Sequence, residues 1–172
     1  MYAQPIKLGA ISGAIVGALF LIFYFIDYSI CGNMWVGFAL WGVSFVIPVV
    51  AAVRFKKANG GVISVKQGFL ALLLSGIAYL VAKQVLVGIL FNIIDPELGV
   101  KLYELNFDKS MDMMRSFGMS EDEAEEAMIQ GAAQAESQGS PGQILIGLVI
   151  GAISYAIYGL IVGLIIGKRG EQ

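Results

Sequence analysis

Four long apolar runs dominate this sequence and restrict the folds that it can adopt. They cover residues 8–26, 34–53, 68–94 and 143–167, and only the third contains a charged side chain. A helix that crosses the ~30 Å hydrocarbon core of a bilayer needs about 20 mostly apolar residues. Because lipid offers the backbone no hydrogen-bond partner, each run is expected to be helical despite its glycines and β-branched residues. The sequence therefore predicts an all-α membrane protein with four transmembrane helices.

The composition agrees with a single membrane domain over residues 1–172. Hydrophobic residues make up 58% of the chain and charged residues 14%, whereas soluble domains have about 45–50% apolar and about 25% charged residues. The net charge of −2 gives no indication of nucleic-acid binding. The first run is longer than the roughly 7–15 apolar residues of a signal peptide. We therefore expect it to be retained as the first span.

Lys83 interrupts the third run. A lysine at the centre of a span costs about 2.5–3.5 kcal/mol, but each Leu, Ile, Phe or Val returns about 0.3–0.6 kcal/mol, so insertion is still favoured. A charge inside a membrane is a functional candidate, and Lys83 could pair with Asp27 at the end of span one or line a polar cavity with Gln84. Alternatively, its ammonium group snorkels toward the outer interface. The sequence leaves these interpretations open.

Basic residues are distributed unevenly between the two predicted sides of the membrane. Seven of the eleven lie on one side, whereas residues 95–142 contain three basic and eleven acidic residues. Cytoplasmic loops of membrane proteins carry the excess of Lys and Arg. The sequence therefore predicts that both termini are cytoplasmic and that residues 95–142 lie outside. The seven basic residues are Lys7, Arg54, Lys56, Lys57, Lys66, Lys168 and Arg169.

The segment between spans three and four has the pattern of two further helices. Its first apolar stripe consists of Tyr103, Phe107, Met111, Met114 and Phe117. This spacing of three and four indicates an amphipathic helix, which Gly118 is expected to end. Ser120 and Glu123 match a capping box that begins a second helix over residues 121–136, with Ala124, Ala127, Met128 and Gly131 on its apolar face. We predict an extracytoplasmic helical hairpin over about residues 97–136.

Local signals also mark the other connections. Ser64 and Gln67 match a capping box at the start of span three, and Asn59-Gly60-Gly61 is typical of a turn. Pro48 lies inside span two. Because proline has no N–H group, it leaves the Ser44 carbonyl without its helical partner and is expected to kink the helix.

Glycines recur at helical spacing in the first and fourth spans. The two stripes are Gly9, Gly13 and Gly17, and Gly147, Gly151, Gly159, Gly163 and Gly167, with Tyr155 at the missing step. Small residues at this spacing let two helices approach closely in lipid. One interpretation is that spans one and four pack together within the chain. The other is a seam between copies in a homo-oligomer.

The residue inventory argues against most catalytic chemistry. The chain has no histidine, which excludes a Ser-His dyad, a zinc-binding HExxH motif and a haem histidine ligand. Cys31 has no histidine to activate it, and Asp27 lacks the second membrane carboxylate that an intramembrane aspartyl protease needs. We expect a protein that is not an enzyme, with no catalytic, cofactor-binding or metal-binding residues.

Two clusters of side chains could bind metal ions, but each also has a purely structural explanation. The acidic residues 121–126 could bind a divalent cation, but they lack the Asp-x-Asp-x-Asp-Gly order of a calcium loop. A solvated helix N-terminus explains them better. Met111, Met113 and Met114 could bind a soft metal, although a packing face explains them better.

Several stretches of this chain carry a family resemblance. They are Lys7-Leu8-Gly9 with Gly13, residues 59–69 (NGGVISVKQGF), Tyr103-Glu104, and residues 117–123 (FGMSEDE). In order and spacing they resemble a bacterial family of four-span membrane proteins, domain of unknown function 4199, over nearly the whole chain. The resemblance implies an inner-membrane location and no active-site residues. Lys83 is not a feature that we associate with this family.

These observations favour a non-enzymatic structural or accessory subunit whose outer hairpin meets a partner. The alternative is a small transporter or channel that acts as an oligomer, because spans one and two run in the same sense as spans three and four. A third hypothesis is a membrane-stress or assembly factor without a stable partner. The expected partners are the lipid bilayer and either another membrane protein or further copies of this chain, with no nucleic acid.

Overall fold

The computed structural model describes residues 2–167, which form six α-helices joined by short connections. The helices are α1 (Ala3–Ile26), α2 (Met34–Ala58), α3 (Val65–Ile89), α4 (Leu98–Ser116), α5 (Glu121–Glu136) and α6 (Pro141–Ile166). A 3-10 helix, Tyr28–Gly32, joins α1 to α2, and a π-helical turn, Leu90–Ile94, continues α3. Within residues 2–167, four helices are long and apolar enough to cross a membrane: α1, α2, α3 with its π turn, and α6. The four predicted spans are therefore confirmed as membrane-capable helices.

The helix boundaries follow the local signals in the sequence. At the start of α3, the Ser64 hydroxyl accepts a hydrogen bond from the Gln67 N–H at 3.2 Å, and the Gln67 side chain accepts one from the Ser64 N–H at 2.9 Å. At the end of α2, Gly60 and Gly61 adopt φ angles of 77° and 80°. The Gly61 N–H reaches back to the Lys56 carbonyl at 3.0 Å, which satisfies a terminal carbonyl of α2. Lys168 and Arg169 lie outside the described residues.

Helix α3 is the centre of the bundle, and the other three membrane-capable helices pack around it. A Cβ atom at Gly9 or Gly13 of α1 would overlap the backbone carbonyl oxygen of Ser75 or Tyr79 in α3. The glycine stripe of α6 faces another part of α3, where a Cβ at Gly163 would lie 3.0 Å from the Phe69 nitrogen. The prediction that spans one and four pack together is therefore wrong. Both stripes instead contact α3, except for Gly147, where a Cβ atom would meet nothing within 4 Å among the described residues.

Tyr155 joins α6 to the proline site of α2. Its ring lies against α3 at Gly76, where a Cβ atom would be only 2.5 Å from the ring. Its hydroxyl donates a hydrogen bond of 2.8 Å to the Ser44 carbonyl, the group that Pro48 leaves without a helical partner. An unsatisfied carbonyl in a lipid environment is costly, so this side chain completes the backbone hydrogen bonding of α2 from another helix.

Replacing Tyr155 with phenylalanine removes this hydrogen bond and keeps the ring. We expect Tyr155→Phe to lower the free energy of unfolding by about 1–2 kcal/mol, because the Ser44 carbonyl is left without a donor inside a membrane-capable helix. Unfolding in mixed detergent micelles measures the change. Tyr158→Phe is the matched control, since the Tyr158 ring packs edge-on to Phe45 without a hydroxyl hydrogen bond inside residues 2–167. Equal stability of the two variants would contradict the assignment.

The half of α2 that precedes Pro48 packs loosely. The buried residues of this helix are Pro48, Ala51, Ala52 and Phe55, so burial begins at the proline. Upstream, Trp41 is 63% exposed. Within residues 2–167, a Cβ atom at Gly37 or Gly42 would meet nothing within 4 Å. This half of α2 therefore leaves part of α3 uncovered, which creates the cavity described below.

Candidate functional site

Helices α4 and α5 form the predicted hairpin. Gly118 ends α4 with a φ of 84°, and its N–H donates to the Arg115 carbonyl at 3.0 Å. The Ser120–Glu123 capping box then begins α5, with the Glu123 carboxylate 2.9 Å from the Ser120 nitrogen. This hydrogen bond lowers the pKa of Glu123. The acidic stretch thus forms the N-terminus of α5, as the sequence analysis favoured.

Contacts between α4 and α5 use the expected faces. Ala124 and Met128 of α5 are buried against α4. The Tyr103 hydroxyl donates to the Met128 carbonyl, and a Cβ at Gly131 would lie 2.9 Å from the Tyr103 ring. Phe117, however, is 79% exposed, so the stripe of α4 is covered only in part.

A buried carboxylate ties the hairpin to the membrane-capable helices. Asp95 follows the π turn, and its oxygens accept hydrogen bonds from the Lys101 ammonium at 2.9 and 3.0 Å and from the Tyr24 hydroxyl at 3.2 Å. Because Tyr24 belongs to α1 and Lys101 to α4, one side chain connects α1, the end of α3 and the hairpin. The hydrogen bond from Lys101 lowers the pKa of Asp95 and keeps this carboxyl ionised.

Sequence reasoning missed this cluster. The available signal was an acidic residue directly after a long apolar run, followed by a lysine within two helical turns. That pattern is also compatible with a solvated helix end. Tyr24, 71 positions away from Asp95, could not have been assigned to it from the sequence.

A second connection lies on the other side of the hairpin. The Asn92 side chain donates to the Gly139 carbonyl at 2.7 Å and to the Gly88 carbonyl at 2.8 Å. Gly139 has a φ of 91°, and a Cβ there would lie 2.5 Å from the Phe91 Cβ. The connection from α5 to α6 is therefore held directly on α3, so the hairpin is attached at both of its ends.

Lys83 does not pair with Asp27, so that interpretation is wrong. The Asp27 side chain instead accepts a hydrogen bond from the Ser29 N–H at 2.8 Å, which starts the 3-10 helix and lowers the pKa of Asp27. The ion pairs among residues 2–167 join Lys101 to Asp95 and Glu97, and Arg115 to Glu121. Lys83 takes part in none of these pairs.

Lys83 instead lines a cavity of about 380 Å³ between α1, α2 and α3, which we name the Lys83 cavity. Its polar lining consists of Cys31, Ser44, Tyr79, Lys83, Gln84 and Gln138. Aromatic walls are supplied by Phe20, Trp41 and Phe91. Lys83 and Gln84 therefore line the same cavity, which was one of the alternatives that the sequence left open.

A second cavity of about 480 Å³ lies beneath the hairpin, and we name it the glutamine cavity. Four side-chain amides line it, those of Gln84, Gln134, Gln138 and Gln143. It shares Gln84, Leu102 and Gln138 with the Lys83 cavity, so the two spaces adjoin at these residues. Amides both donate and accept hydrogen bonds without charge, which makes this lining suited to polar, uncharged groups.

Cys31 is poorly suited to nucleophilic chemistry. Burial raises the pKa of its thiol to about 11, with a further contribution from the negative charge of Asp27. The thiol also lies 3.7 Å from the Phe20 carbonyl, to which it donates. Because the thiolate is the reactive form of cysteine, this thiol is inert near neutral pH. The chemistry that this cavity offers is therefore that of Lys83 and its polar neighbours, which can bind a ligand through charge and hydrogen bonds.

Comparison with known proteins places the chain in a family. No curated protein and no solved structure matches it. One family profile matches residues 7–168, which is nearly the whole chain. The chain therefore belongs to the family described as "Protein of unknown function (DUF4199)", in agreement with the resemblance carried by its motifs.

Proposed function

We propose that this protein resides in a bacterial inner membrane, with both termini in the cytoplasm and the α4–α5 hairpin outside. The placement of basic side chains supports this orientation. Lys7, Arg54, Lys57 and Lys66 lie near the start of α1, the end of α2 and the start of α3, at the end of the bundle opposite the hairpin. At the same end, the Lys56 ammonium donates to the Ile166 carbonyl at 2.7 Å, which joins α2 to the end of α6. Excess basic residues mark the cytoplasmic side.

Cysteine labelling tests this orientation. In a Cys31→Ala background, we expect a membrane-impermeant maleimide to label Ser120→Cys in intact cells and to label Lys57→Cys only after the membrane is permeabilised. Both positions are exposed, so access to the reagent depends on the compartment. Labelling of both positions from the same side would contradict the proposed topology.

We further propose that the protein is a non-enzymatic accessory subunit whose hairpin binds another membrane protein. One groove between α4 and α5 carries this proposal; it has a volume of about 410 Å³ and we name it the hairpin groove. Its apolar lining includes Phe107, Met111, Met128 and Ile129. Ile129 is 65% exposed, although it lies outside the four membrane-capable helices. Exposed apolar surface of this kind marks interaction sites.

The charge around the hairpin groove favours one class of partner. Glu121 and Glu125 border the groove, and Arg115 is already paired with Glu121 at 3.3 Å. An outer segment that combines an apolar anchor with basic residues would complement this surface. A second copy of the same hairpin would bring acidic residues against acidic residues, which argues against self-association through this groove.

Two variants that add the same charge test the accessory role. Ile129→Asp places a carboxylate in the hairpin groove, whereas Gln130→Asp places one on exposed α5 surface that does not line it. After capture in mild detergent, we expect the same partner with the wild-type chain and with Gln130→Asp, and at least about tenfold less with Ile129→Asp. The absence of any reproducible partner, or equal capture by both variants, would contradict the proposal.

The alternative of a small transporter or channel acting as an oligomer is favoured by one observation. The Lys83 cavity and the glutamine cavity adjoin, so polar side chains extend from beneath the hairpin toward the middle of α3. Solute flux in proteoliposomes that Lys83→Ala abolishes would support transport over the accessory role.

A further inference from the structure

An apolar groove on the surface of α2 adjoins the Lys83 cavity. This α2 groove has a volume of about 360 Å³, is lined by Met34, Gly37, Phe38 and Trp41, and shares Gly37 and Trp41 with the Lys83 cavity. Phe38 and Trp41 are more than half exposed, at 58% and 63%. A ligand in the Lys83 cavity could therefore extend along α2 into the surrounding apolar phase.

The two ends of this combined space differ in chemistry. In the Lys83 cavity, the Lys83 ammonium is accompanied by the hydrogen-bonding side chains of Gln84 and Gln138. The α2 groove, in contrast, is almost entirely apolar. A molecule that fits both ends has an anionic, hydrogen-bonding head and an apolar tail.

The charge of Lys83 supports an anionic head. Within residues 2–167 its ammonium has no carboxylate partner, although it lies in the hairpin-side half of a membrane-capable helix. A charge in such a position requires a counter-charge or access to water. The carboxylate of Asp95, at the end of the same helix, is bound by Lys101 and Tyr24 and does not serve this role.

Access to the space is lateral. No residue of α2 upstream of Pro48 is buried within the described structure, and the Lys83 cavity lies between this part of the helix and α3. The hairpin and its connections to α3 cover the space from the other direction. Lipid reaches a lateral space of this kind more readily than a soluble anion does.

We propose that the Lys83 cavity binds the headgroup of an anionic phospholipid, with one acyl chain along the α2 groove. Lys83 pairs with the phosphate, and Gln84 and Gln138 hydrogen-bond to headgroup oxygens. This inference goes beyond the accessory role and does not depend on it, because the lipid occupies α2 and α3 whereas the partner would occupy the hairpin groove.

Trp41 lies in the proposed acyl-chain path and provides the readout. In a Trp35→Phe background, Trp41 is the remaining tryptophan of the chain. The protein is placed in phosphatidylcholine nanodiscs that contain a minor fraction of either brominated phosphatidylglycerol or brominated phosphatidylcholine. We expect brominated phosphatidylglycerol to quench Trp41 at about fivefold lower mole fraction, the effect of one lysine–headgroup attraction.

Matched variants distinguish lipid binding at Lys83 from the nonspecific attraction of anionic lipids to basic surface residues. We expect Lys83→Gln to abolish the preference for phosphatidylglycerol, whereas Lys83→Arg and the exposed-residue control Lys109→Gln retain it. Equal quenching by both lipids in the wild type, or an undiminished preference in Lys83→Gln, would overturn the proposal. If Lys83→Gln fails to fold, the wild type still decides the question, because unlabelled phosphatidylglycerol must displace the brominated lipid and unlabelled phosphatidylcholine must not.

A final arm distinguishes a lipid from a soluble anion. Inorganic phosphate or glycerol phosphate at millimolar concentration should leave the quenching by brominated phosphatidylglycerol unchanged, because neither supplies an acyl chain for the α2 groove. Displacement by these anions would show that the site takes a soluble phosphate, and the lipid assignment would be wrong.

Discussion

Gly13→Leu should destabilise this protein by about 3 kcal/mol or more, at or beyond the upper end of the usual cost of overpacking. The physical reason is the contact between backbones: the added Cβ overlaps the Tyr79 carbonyl oxygen, and a backbone atom cannot rotate away as a side chain does. Helices α1 and α3 would have to separate along their interface. Unfolding in mixed micelles, with the fraction folded read by circular dichroism, measures the loss.

Leucine substitutions at two other glycines provide the stabilities with which Gly13→Leu is compared. Gly42→Leu is the matched control, since a Cβ there meets nothing within 4 Å among the described residues, and its stability should equal that of the wild type. Gly159→Leu should fall between the two, because its Cβ would lie 3.2 Å from a Phe69 ring atom, which can shift. A Gly13→Leu protein as stable as Gly42→Leu would show that α1 does not pack on α3 in this way.

Asp95→Asn should loosen the α4 end of the hairpin from the membrane-capable helices, whereas the contact between Asn92 and Gly139 at the other end remains. The substitution keeps the shape of the side chain but removes the charge that accepts hydrogen bonds from Lys101 and Tyr24. We expect amide hydrogen exchange in α4 to increase by about tenfold or more, the equivalent of losing one hydrogen bond to a charged group. Exchange in the middle of α3 should change little, because its packing against α1 and α6 does not involve Asp95.

Glu97→Gln is the control for this prediction. The Glu97 side chain is 82% exposed and lies 3.9 Å from the same ammonium group, so its removal should leave the exchange in α4 unchanged. If Glu97→Gln releases the hairpin as strongly as Asp95→Asn does, the attachment depends on net charge rather than on the buried carboxylate.

The same cluster predicts a dependence on pH. Because the pKa of Asp95 is lowered in the folded protein, its contribution to hairpin attachment is complete above the ordinary aspartate pKa of about 4. The contribution is lost as the pH falls through the lowered value. After correction for the intrinsic pH dependence of amide exchange, the protection of α4 amides should therefore be constant near neutrality and fall only in acid, and this acid dependence should be absent in Asp95→Asn.

Most of the secondary structure of this protein could be predicted from the sequence, because each signal acts over a few residues. In lipid, the backbone must satisfy its own hydrogen bonds, so an apolar run of sufficient length becomes a helix whatever it packs against. The capping boxes at Ser64 and Ser120 and the glycine at position 118 likewise act on the nearest turn, and the structure has all three as predicted.

The partners of these elements could not be predicted. A glycine stripe shows that a helix can be approached closely, but it does not identify the approaching helix, and so the pairing of α1 with α6 was wrong. Pro48 showed that the Ser44 carbonyl would lack a donor, but not that Tyr155, 111 residues away, would supply one. The same limit applies to Asp95 and Tyr24.

The sequence by itself determined which segments are helical, the capped starts of α3 and α5, and which family the chain belongs to, although α1 begins five residues before and α2 ends five residues after the predicted spans. Only the tertiary structure decided that α3 lies at the centre, that Asp95 attaches the α4 end of the hairpin, and that Lys83 lines a cavity beside an apolar groove. The physical reason is that helix formation depends on neighbouring residues, whereas packing and ion pairing depend on surfaces that meet only after distant segments come together.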